Sequence, residues 1–262
     1  MGALNKLLKR IYLIRADFSS FLNLLIIDLL FFFQPITRKL RNRLKERLHR
    51  RSKMFVKFGE HKYLCRADDI DILLEVHKDK VYHKRFTPKS NEVVVDLGAN
   101  IGEYTIMAAK QAKNVIAFEP NKRAVDFLNK NIELNKLTNV QVIPKAAHSK
   151  TGTITLYSIP GTNTRDSICL FNKGKYFSES ITLDEALKDK RIDIIKMDIE
   201  GAEFEALKGA ENTLKNKPRI IAELHTAPIR QQVLDFLKKH GYRVSYEEMI
   251  TPGITWQTYF EA

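Results

Sequence analysis

The feature that most constrains this chain is a regular alternation of apolar runs and helical patterns that begins at Val93. The apolar runs are short and rich in β-branched residues, whereas the segments between them carry apolar residues at helical spacing. Near-continuous apolar strands that alternate with helices indicate a parallel sheet covered on both faces. The predicted strands are VVVDL at 93–97, VIAFE at 115–119, VQVI at 140–143, DIIKMD at 193–198 and IIAEL at 220–224, followed by strands near 242–246 and 254–260.

Helical patterns separate these strands over about 103–113, 122–135, 202–215 and 229–239. A small hairpin around Gly59-Glu60 and a helix near 70–77 precede the sheet. The polar stretch 158–180 interrupts the alternation and predicts a long loop or insertion. We therefore predict an α/β fold with a doubly wound, mostly parallel sheet and a C-terminal antiparallel strand.

The 262 residues, of which 44% are apolar, fit one α/β domain with an appendage. The predicted division is a basic and apolar helical appendage over 1–53 and an α/β domain over 54–262. Two cysteines, Cys65 and Cys169, exclude a disulfide framework and a cysteine-rich zinc module.

The positive charge is concentrated in the appendage. Residues 1–53 contain 13 Lys and Arg and three acidic residues, and therefore carry +10 of the net charge of +13. A basic chain suggests nucleic acid when its cations line a folded face, but these cations lie in one terminal segment. Nucleic acid is therefore not the expected partner.

The appendage instead has features of a membrane-attached segment. The run FLNLLIIDLLFFF at 21–33 is shorter than the roughly 20 residues that a bilayer crossing needs, and it contains Asp28. Nine cations follow between Arg38 and Lys53, with leucines at every fourth position. These features favour in-plane or re-entrant attachment to an anionic surface at the cytoplasmic face of a membrane. A true span and a helix that packs on another protein are the alternatives.

The first predicted strand runs into a glycine-containing turn and then a helix, which is the context of a ligand-binding βα turn. A dinucleotide fingerprint starting at Gly98 would need glycines where Asn100 and Glu103 stand, so the NAD-binding pattern fails. The remaining pattern, Asp96-x-Gly98-x-Asn100-x-Gly102, resembles the S-adenosylmethionine (SAM) loop of class I methyltransferases, with asparagine in place of the middle glycine.

Each residue of this turn has an expected role toward the cofactor. Gly98 permits a sharp turn, and Gly102 permits close approach of the backbone to the ligand. Asp96 could accept hydrogen bonds from the cofactor's ammonium group. Glu119, 23 residues later, could accept both ribose hydroxyls, and the neighbourhood of Ala146 could contact the adenine. The alternative is a structural turn beside a surface glutamate.

Over roughly residues 54–248 the chain resembles the FkbM-type methyltransferases, a class I SAM-dependent family with a Rossmann-like fold. The resemblance implies a SAM-dependent methyltransferase, and it rests on VVVDLGANIGEYT at 93–105, AFEPN at 117–121, SITLDEAL at 180–187, DIIKMDIEGAEFEALKGA at 193–210 and IIAELH at 220–225. The fourth of these segments is the most specific.

Two predicted strands end in acidic residues where parallel sheets bind ligands. Asp198 and Glu200 follow the fourth strand, and an extended backbone would aim both the same way. Glu203 begins the helix that follows the fourth strand. Glu223 and His225 end the next strand and are also two positions apart. We predict that Asp198, Glu200, Glu223 and His225 converge over the methyl group as the catalytic residues.

Methyl transfer to a hydroxyl requires a base that removes its proton. Asp198 or His225 is the predicted base, with Glu200 and Glu223 orienting the acceptor or tuning the base. The prediction needs no metal, but a divalent cation held by these oxygens and one imidazole is the alternative.

The leading hypothesis is O-methylation of a sugar, a glycan- or lipid-linked acceptor or another small molecule. The alternatives are an RNA 2′-O-methyltransferase and a non-catalytic, membrane-tethered SAM-binding module. The chain has no Asn-Pro-Pro-Tyr-like segment, which argues against methylation of base amines.

Overall fold

The computed structural model describes residues 53–66, 69–79, 81–158, 166–167, 174–188 and 190–262. The strands in these ranges are β1 (Met54–Phe58), β2 (His61–Cys65), β3 (Val93–Leu97), β4 (Asn114–Phe118), β5 (Val140–Ile143), β6 (Ala146–Ala147), β7 (Gly152–Ser158), β8 (Asp166–Ser167), β9 (Gly174–Ile181), β10 (Ile194–Met197), β11 (Arg219–His225), β12 (Arg243–Thr251) and β13 (Thr255–Glu261). The α-helices are α1 (Ile70–Leu74), α2 (Glu103–Ala109), α3 (Lys122–Leu134), α4 (Leu183–Leu187), α5 (Glu203–Lys208) and α6 (Ala227–Lys239).

The main sheet has seven strands in the order β12-β13-β11-β10-β3-β4-β5. The five strands from β11 to β5 are parallel, and β13 and β12 are antiparallel to their neighbours. From β3, the chain continues to β4 and then β5 on one side of the sheet, whereas β10 and β11 lie on the other side of β3. This topological switch point between β3 and β10 is where open α/β sheets bind ligands. The prediction of an α/β fold with a mostly parallel sheet is confirmed.

Alternating side chains of β3 build the two apolar layers that cover the sheet. Val94 packs into one buried cluster with Val115, and Val95 packs into another with Ile116. Successive residues of a strand point to opposite faces. A strand buried on both faces therefore has to be apolar at nearly every position, as the sequence pattern indicated.

The prediction of a loop over 158–180 is wrong at its C-terminal end. Residues 174–181 form β9, which pairs antiparallel with β7 in a second sheet of the order β6-β9-β7-β8. The sequence pattern does not predict this strand, because the side chains of residues 175–179 alternate between exposed and partly exposed rather than between buried and exposed. The backbone of β9 hydrogen-bonds to β7, and this pairing forms a strand that the composition of β9 alone does not predict.

The helix predicted over 202–215 is interrupted. The α-helix α5 ends at Lys208, and a separate 3₁₀ turn spans Thr213–Asn216. Between them, a Cβ atom at Gly209 would lie 2.3 Å from the backbone oxygen of His148, so only glycine fits this approach of two chain segments.

The predicted appendage lies outside the described residues, apart from Lys53. None of the helices in the described ranges has the length and hydrophobicity that a membrane crossing requires.

The hairpin β1–β2 is held against the domain by a buried amide of α3. Asn131 accepts a hydrogen bond from the backbone N–H of Leu64 at 2.6 Å and donates to the carbonyl oxygens of Leu64 and Ile101 at 3.1 and 2.8 Å. One turn later, the partly buried Asn135 makes the same pair of bonds to the backbone of Lys62, but these bonds are exposed to solvent. The two asparagines thus make matched contacts that differ in burial.

We expect Asn131→Ala to lower the free energy of unfolding by about 2–4 kcal/mol, because it leaves buried backbone groups without partners. Asn135→Ala should cost less than about 1 kcal/mol, because water replaces its bonds to Lys62. Urea denaturation of both variants tests the difference. Equal losses would show that burial of the amide does not hold the hairpin.

Candidate active site

The turn after β3 requires glycine at two positions because of the protein's own packing. Gly98 has φ +76°, and a Cβ atom there would lie 1.9 Å from the backbone oxygen of Asp198. Gly102 caps α2 with φ +100°, and a Cβ atom there would lie 2.8 Å from Cδ1 of Leu128. The close approach at Gly102, expected toward the ligand, is therefore an approach to α3.

Asp96 is fully buried beneath this turn. Its Oδ1 lies 3.1 Å from Nζ of Lys196 on β10, and its Oδ2 accepts a hydrogen bond from the hydroxyl of Thr105 at 2.5 Å. Burial alone would lower the pKa of Lys196, but the nearby carboxylates of Asp96 and Asp198 outweigh it and raise this pKa. Asp96, expected to accept the cofactor's ammonium, thus faces a buried lysine instead.

Glu119 and Asn100 are joined across the ends of β3 and β4. The backbone N–H of Asn100 donates to Oε2 of Glu119 at 2.8 Å, and the N–H of Asn121 donates to Oε1 at 2.8 Å. Asn100 reaches this position with φ +48°, a backbone conformation that asparagine tolerates better than most residues. A carboxylate oxygen carries two lone pairs and can accept more than one hydrogen bond.

A solvent-connected cavity with about 820 Å³ of empty space lies above the switch point. The lining includes Tyr82, Gly98, Asn100, Glu119, Ala146, Lys196, Asp198 and Glu200.

The cavity fits SAM. The Oδ1 atom of Asn100 is buried and has no hydrogen-bond partner within the described part of the chain. An acceptor of this kind and the carboxylate of Glu119 suit the hydroxyl and amino groups of a nucleoside, and Ala146 offers an apolar contact. Asp96 and Gly102 are not among the residues that line the cavity, and their contact with the cofactor stays a prediction.

The structure brings the four predicted catalytic side chains together around one imidazole. Nε2 of His225 lies 3.5 Å from Glu200, 3.6 Å from Glu223 and 3.9 Å from Asp198. On its other side, Nδ1 lies 2.9 Å from Oε1 of the fully buried Glu203. The side chain of Glu203, which sequence analysis placed only at the start of a helix, therefore orients the imidazole.

The backbone route to this cluster differs from the one that the sequence suggested. Glu200 has φ +51° and Gly201 has φ +103°, so the segment after β10 is a turn rather than an extended strand. The carboxylates of Asp198 and Glu200 still converge, because the turn carries Glu200 toward His225. A non-glycine residue in the left-handed region is strained by about 1 kcal/mol or more, and such strain often occurs at functional sites.

The residues of this cluster strongly shift the pKa values of His225 and Glu223. Burial would lower the pKa of His225, but hydrogen bonding to Glu203 and the surrounding carboxylates raise it to about 10. Burial and the neighbouring Asp198 raise the pKa of Glu223 to about 8. At neutral pH the centre is thus an imidazolium among carboxylates, with Glu223 largely protonated.

Asp198, Glu200 and His225 could also hold a cation. One ligand atom from each lies within 4.8 Å of the others. Carboxylate oxygens and an imidazole nitrogen suit divalent ions such as Mn²⁺.

Three polar residues at this site have no role predicted from the sequence. Tyr82 donates to Oδ2 of Asp198 at 2.8 Å, Lys196 pairs with Asp96, and Glu103 accepts a hydrogen bond from Nδ2 of Asn100 at 2.5 Å. A charged residue inside the apolar run DIIKMD was the available signal for Lys196. No local pattern marks Tyr82, which lies 116 positions from its partner.

Comparison with known proteins places these residues in a family. Residues 96–244 match the family described as the methyltransferase FkbM domain. The chain is 27% identical over 214 residues to methyltransferase sdnD of Sordaria araneosa, covering 66% of this chain and 82% of that protein. It is 29% identical over 157 residues to the hexuronic acid methyltransferase AglP of Haloferax volcanii, covering 58% of this chain and 63% of that protein.

A solved structure supports the fold. The crystal structure of methyltransferase FkbM from Methylobacillus flagellatus KT has a TM-score of 0.51 and 20% identity, covering 73% of this chain and 54% of that chain. At this level of identity the likeness concerns the fold, and the chain spans about half of that protein.

The buried Glu103 should make stability depend on pH. Burial raises its pKa to about 8, so the folded state holds a proton that the unfolded chain loses near pH 4.5. Stability from this group is greatest below that pH and is lost as the pH rises toward 8. Relative to Glu103→Gln, the wild type should therefore lose on the order of 1 kcal/mol per pH unit between pH 5 and 8.

Urea unfolding at several pH values measures this difference. Glu133→Gln, at an exposed position of α3, controls for the change of side chain. A difference between wild type and Glu103→Gln that stays constant over this range would show that Glu103 is not protonated in the folded state.

Proposed function

Because the chain belongs to the FkbM methyltransferase family and uses SAM as its methyl donor, we propose that it methylates a hydroxyl group of a sugar. The acceptor would be a small molecule or a glycan- or lipid-linked sugar. The observation that carries this proposal is the convergence of Asp198, Glu200, Glu223 and His225 beside the cavity.

SAM supplies an electrophilic methyl group on a sulfonium centre. In our proposal Glu119 accepts hydrogen bonds from its ribose hydroxyls, Asn100 contacts the nucleoside, and Ala146 packs against the adenine. Asp96 holds Lys196 and the turn at Gly98 rather than touching the cofactor. Gly102 fixes the start of α2 beneath the site.

Asp198 is the proposed base. Of the two candidates, His225 is a poor base because its raised pKa keeps it protonated at neutral pH. The acceptor hydroxyl gives its proton to Asp198 as its oxygen bonds to the methyl carbon and the sulfur–carbon bond breaks. The products are a methyl ether and S-adenosylhomocysteine. The imidazolium of His225 stabilises the carboxylates around the reacting oxygen.

A sugar acceptor suits the remaining groups of the cluster. Glu200 can accept hydrogen bonds from hydroxyls next to the reacting one, and protonated Glu223 can donate as well as accept. The similarity to a hexuronic acid methyltransferase supports a sugar substrate. RNA is the weaker alternative, because the carboxylates of this cluster repel a phosphodiester backbone. A non-catalytic module would not need the cluster.

Two substitutions should separate cofactor binding from chemistry. Glu119→Gln should weaken SAM binding about 10- to 100-fold, because it removes a charged acceptor. Asp198→Asn should bind SAM within about twofold of wild type but lower turnover by about 100-fold or more, because it removes the base. Calorimetry measures SAM binding, and transfer of labelled methyl to methyl α-glucoside, methyl α-glucuronide and RNA measures turnover.

Glu211→Gln, at an exposed position, serves as the matched control. Asp198→Asn with unchanged turnover would remove Asp198 from the base role, and label that enters only RNA would reject a sugar acceptor. Turnover should persist in EDTA if Asp198 takes the proton directly. Loss of turnover in EDTA that Mn²⁺ or Mg²⁺ restores would instead assign Asp198, Glu200 and His225 as cation ligands.

We also propose that residues 1–53 attach the enzyme to an anionic membrane surface, which would hold the site near a lipid-linked acceptor at the cytoplasmic face. The support is the sequence, in which ten net positive charges accompany a short apolar run.

The full chain should sediment with vesicles that contain phosphatidylserine and bind less to vesicles of phosphatidylcholine alone. Replacing Arg41, Arg43 and Arg47 by glutamate should weaken binding, because each cation near an anionic leaflet contributes about 1 kcal/mol. Protein that stays in the supernatant at both low and high salt would contradict attachment.

A further inference from the structure

The turn that joins β12 to β13 exposes a cluster of apolar side chains. Six large apolar residues are exposed in the described part of the chain, and three of them lie within residues 249–254, here called the β12–β13 tip. Met249, Ile250 and Ile254 are 52%, 44% and 55% exposed. None of the residues of the tip carries a charge. Exposed apolar side chains that are scattered singly are normal, whereas a cluster of them marks an interaction surface.

The β12–β13 tip lies at the same edge of the sheet as the candidate active site. Because β13 runs antiparallel to β11, Thr255 at the start of β13 pairs with His225 at the end of β11. The backbone N–H of Thr226 also donates to the carbonyl oxygen of Ile254 at 2.7 Å. Neighbouring strands are about 5 Å apart, so the tip begins one strand away from His225. A surface that binds the tip would therefore lie close to the place where the acceptor is proposed to bind.

The turn at the tip has its own hydrogen bonds. The backbone N–H of Ile254 donates to the carbonyl oxygen of Thr251 at 3.0 Å, and the N–H of Gly253 donates to Sδ of Met249 at 3.3 Å. Gly253 has φ +69°, a conformation that glycine adopts without strain. The exposed apolar side chains thus belong to a formed turn.

The charges next to the tip suit an anionic surface. Glu247 and Glu248 directly precede the tip, and both are paired, Glu247 with Arg230 at 2.7 Å and Glu248 with Lys84. Arg85 is exposed beside the same strand, with its guanidinium 5.8 Å from the centre of a tyrosine ring of β12. Three cations therefore accompany two acids here. An apolar segment with cations beside it is typical of proteins that insert into anionic membranes.

A second copy of the chain fits this surface less well than lipid does. β12 is the edge strand of the sheet, but its pairing with β13 shifts register between Val244 and Tyr246 and between Met249 and Thr251. Irregularities of this kind twist an edge strand and hinder its pairing with a strand of another molecule. Lipid chains need no regular row of backbone hydrogen bonds, so the irregularities do not hinder insertion.

We propose that the β12–β13 tip inserts among the lipids of an anionic membrane and brings the active site to the sugar of a lipid-linked acceptor. This inference rests on the proposed function, and it adds a second membrane contact to the attachment proposed for residues 1–53. The appendage alone would tether the domain, whereas the tip determines which edge of the sheet faces the lipid.

Fluorescence tests the insertion directly, because Trp256 is the only tryptophan of the chain. In the full chain with Trp256→Phe, the added substitution Ile254→Trp should give an emission that brominated lipids quench in vesicles of phosphatidylserine and phosphatidylcholine. Val244→Trp in the same background is the matched control, because Val244 is also exposed but lies at the other end of β12. Its emission should be quenched little. Absence of quenching with Ile254→Trp, or equal quenching of the two variants, would overturn the inference.

Charged substitutions give an independent measurement of binding. Ile250→Asp combined with Ile254→Asp should weaken sedimentation with these vesicles about 10- to 100-fold, because two carboxylates replace two apolar side chains in lipid. Val244→Asp should bind within about twofold of wild type, because it lies away from the lipid. Unchanged binding of the double variant would overturn the inference. A dimer of the wild type that the double variant splits would instead assign the tip to a second copy.

Turnover separates this inference from the proposed function. The double variant should methylate water-soluble methyl α-glucuronide as fast as the wild type, but it should methylate a glucuronosyl diacylglycerol in vesicles about 10-fold more slowly. Equal rates on the vesicle-borne sugar would overturn the inference. A wild-type enzyme that methylates neither sugar would contradict the proposed function, and the quenching and sedimentation results would still decide whether the tip inserts.

Discussion

The site depends on one buried ion pair at the seam of the sheet. Asp96 on β3 and Lys196 on β10 occupy paired positions across the switch point, and both side chains are almost fully withdrawn from water. Lys196 also donates to the carbonyl oxygen of Gly98 at 3.0 Å. The pair therefore joins the two halves of the sheet and fixes the turn that borders the cavity. Removing one partner of such a pair leaves a buried charge and typically costs about 3–5 kcal/mol.

The ion pair also sets the electrostatics above it. Lys196 places a positive charge below the carboxylates at the strand ends, and His225 places a second one among them. The acidic groups are thus compensated from two sides but not neutralised. This balance leaves a local excess of hydrogen-bond acceptor oxygens at the strand ends.

Much of the fold was predictable from local sequence, and part of the site was too. The run VVVDL defines β3 at its observed bounds, because a strand buried on both faces must be apolar at nearly every position. Convergence of Asp198 and His225 follows from their places at the ends of adjacent parallel strands. The contact of Tyr82 with Asp198 was not predictable, because it depends on how the segment that contains Tyr82 packs against a strand end 116 positions later in the chain. The turn at Glu200 and the strand β9 likewise depend on tertiary partners.

The position of β13 has a consequence for how the chain folds. In sequence β13 follows β12, but in the sheet it lies between β11 and β12. During synthesis on the ribosome, β11 is an open edge and β12 has no partner until β13 has emerged and inserted between them. Open edges of this kind recruit strands from other chains. The growing polypeptide is therefore most prone to aggregate just before the sheet closes, and chaperone binding should concentrate in that interval.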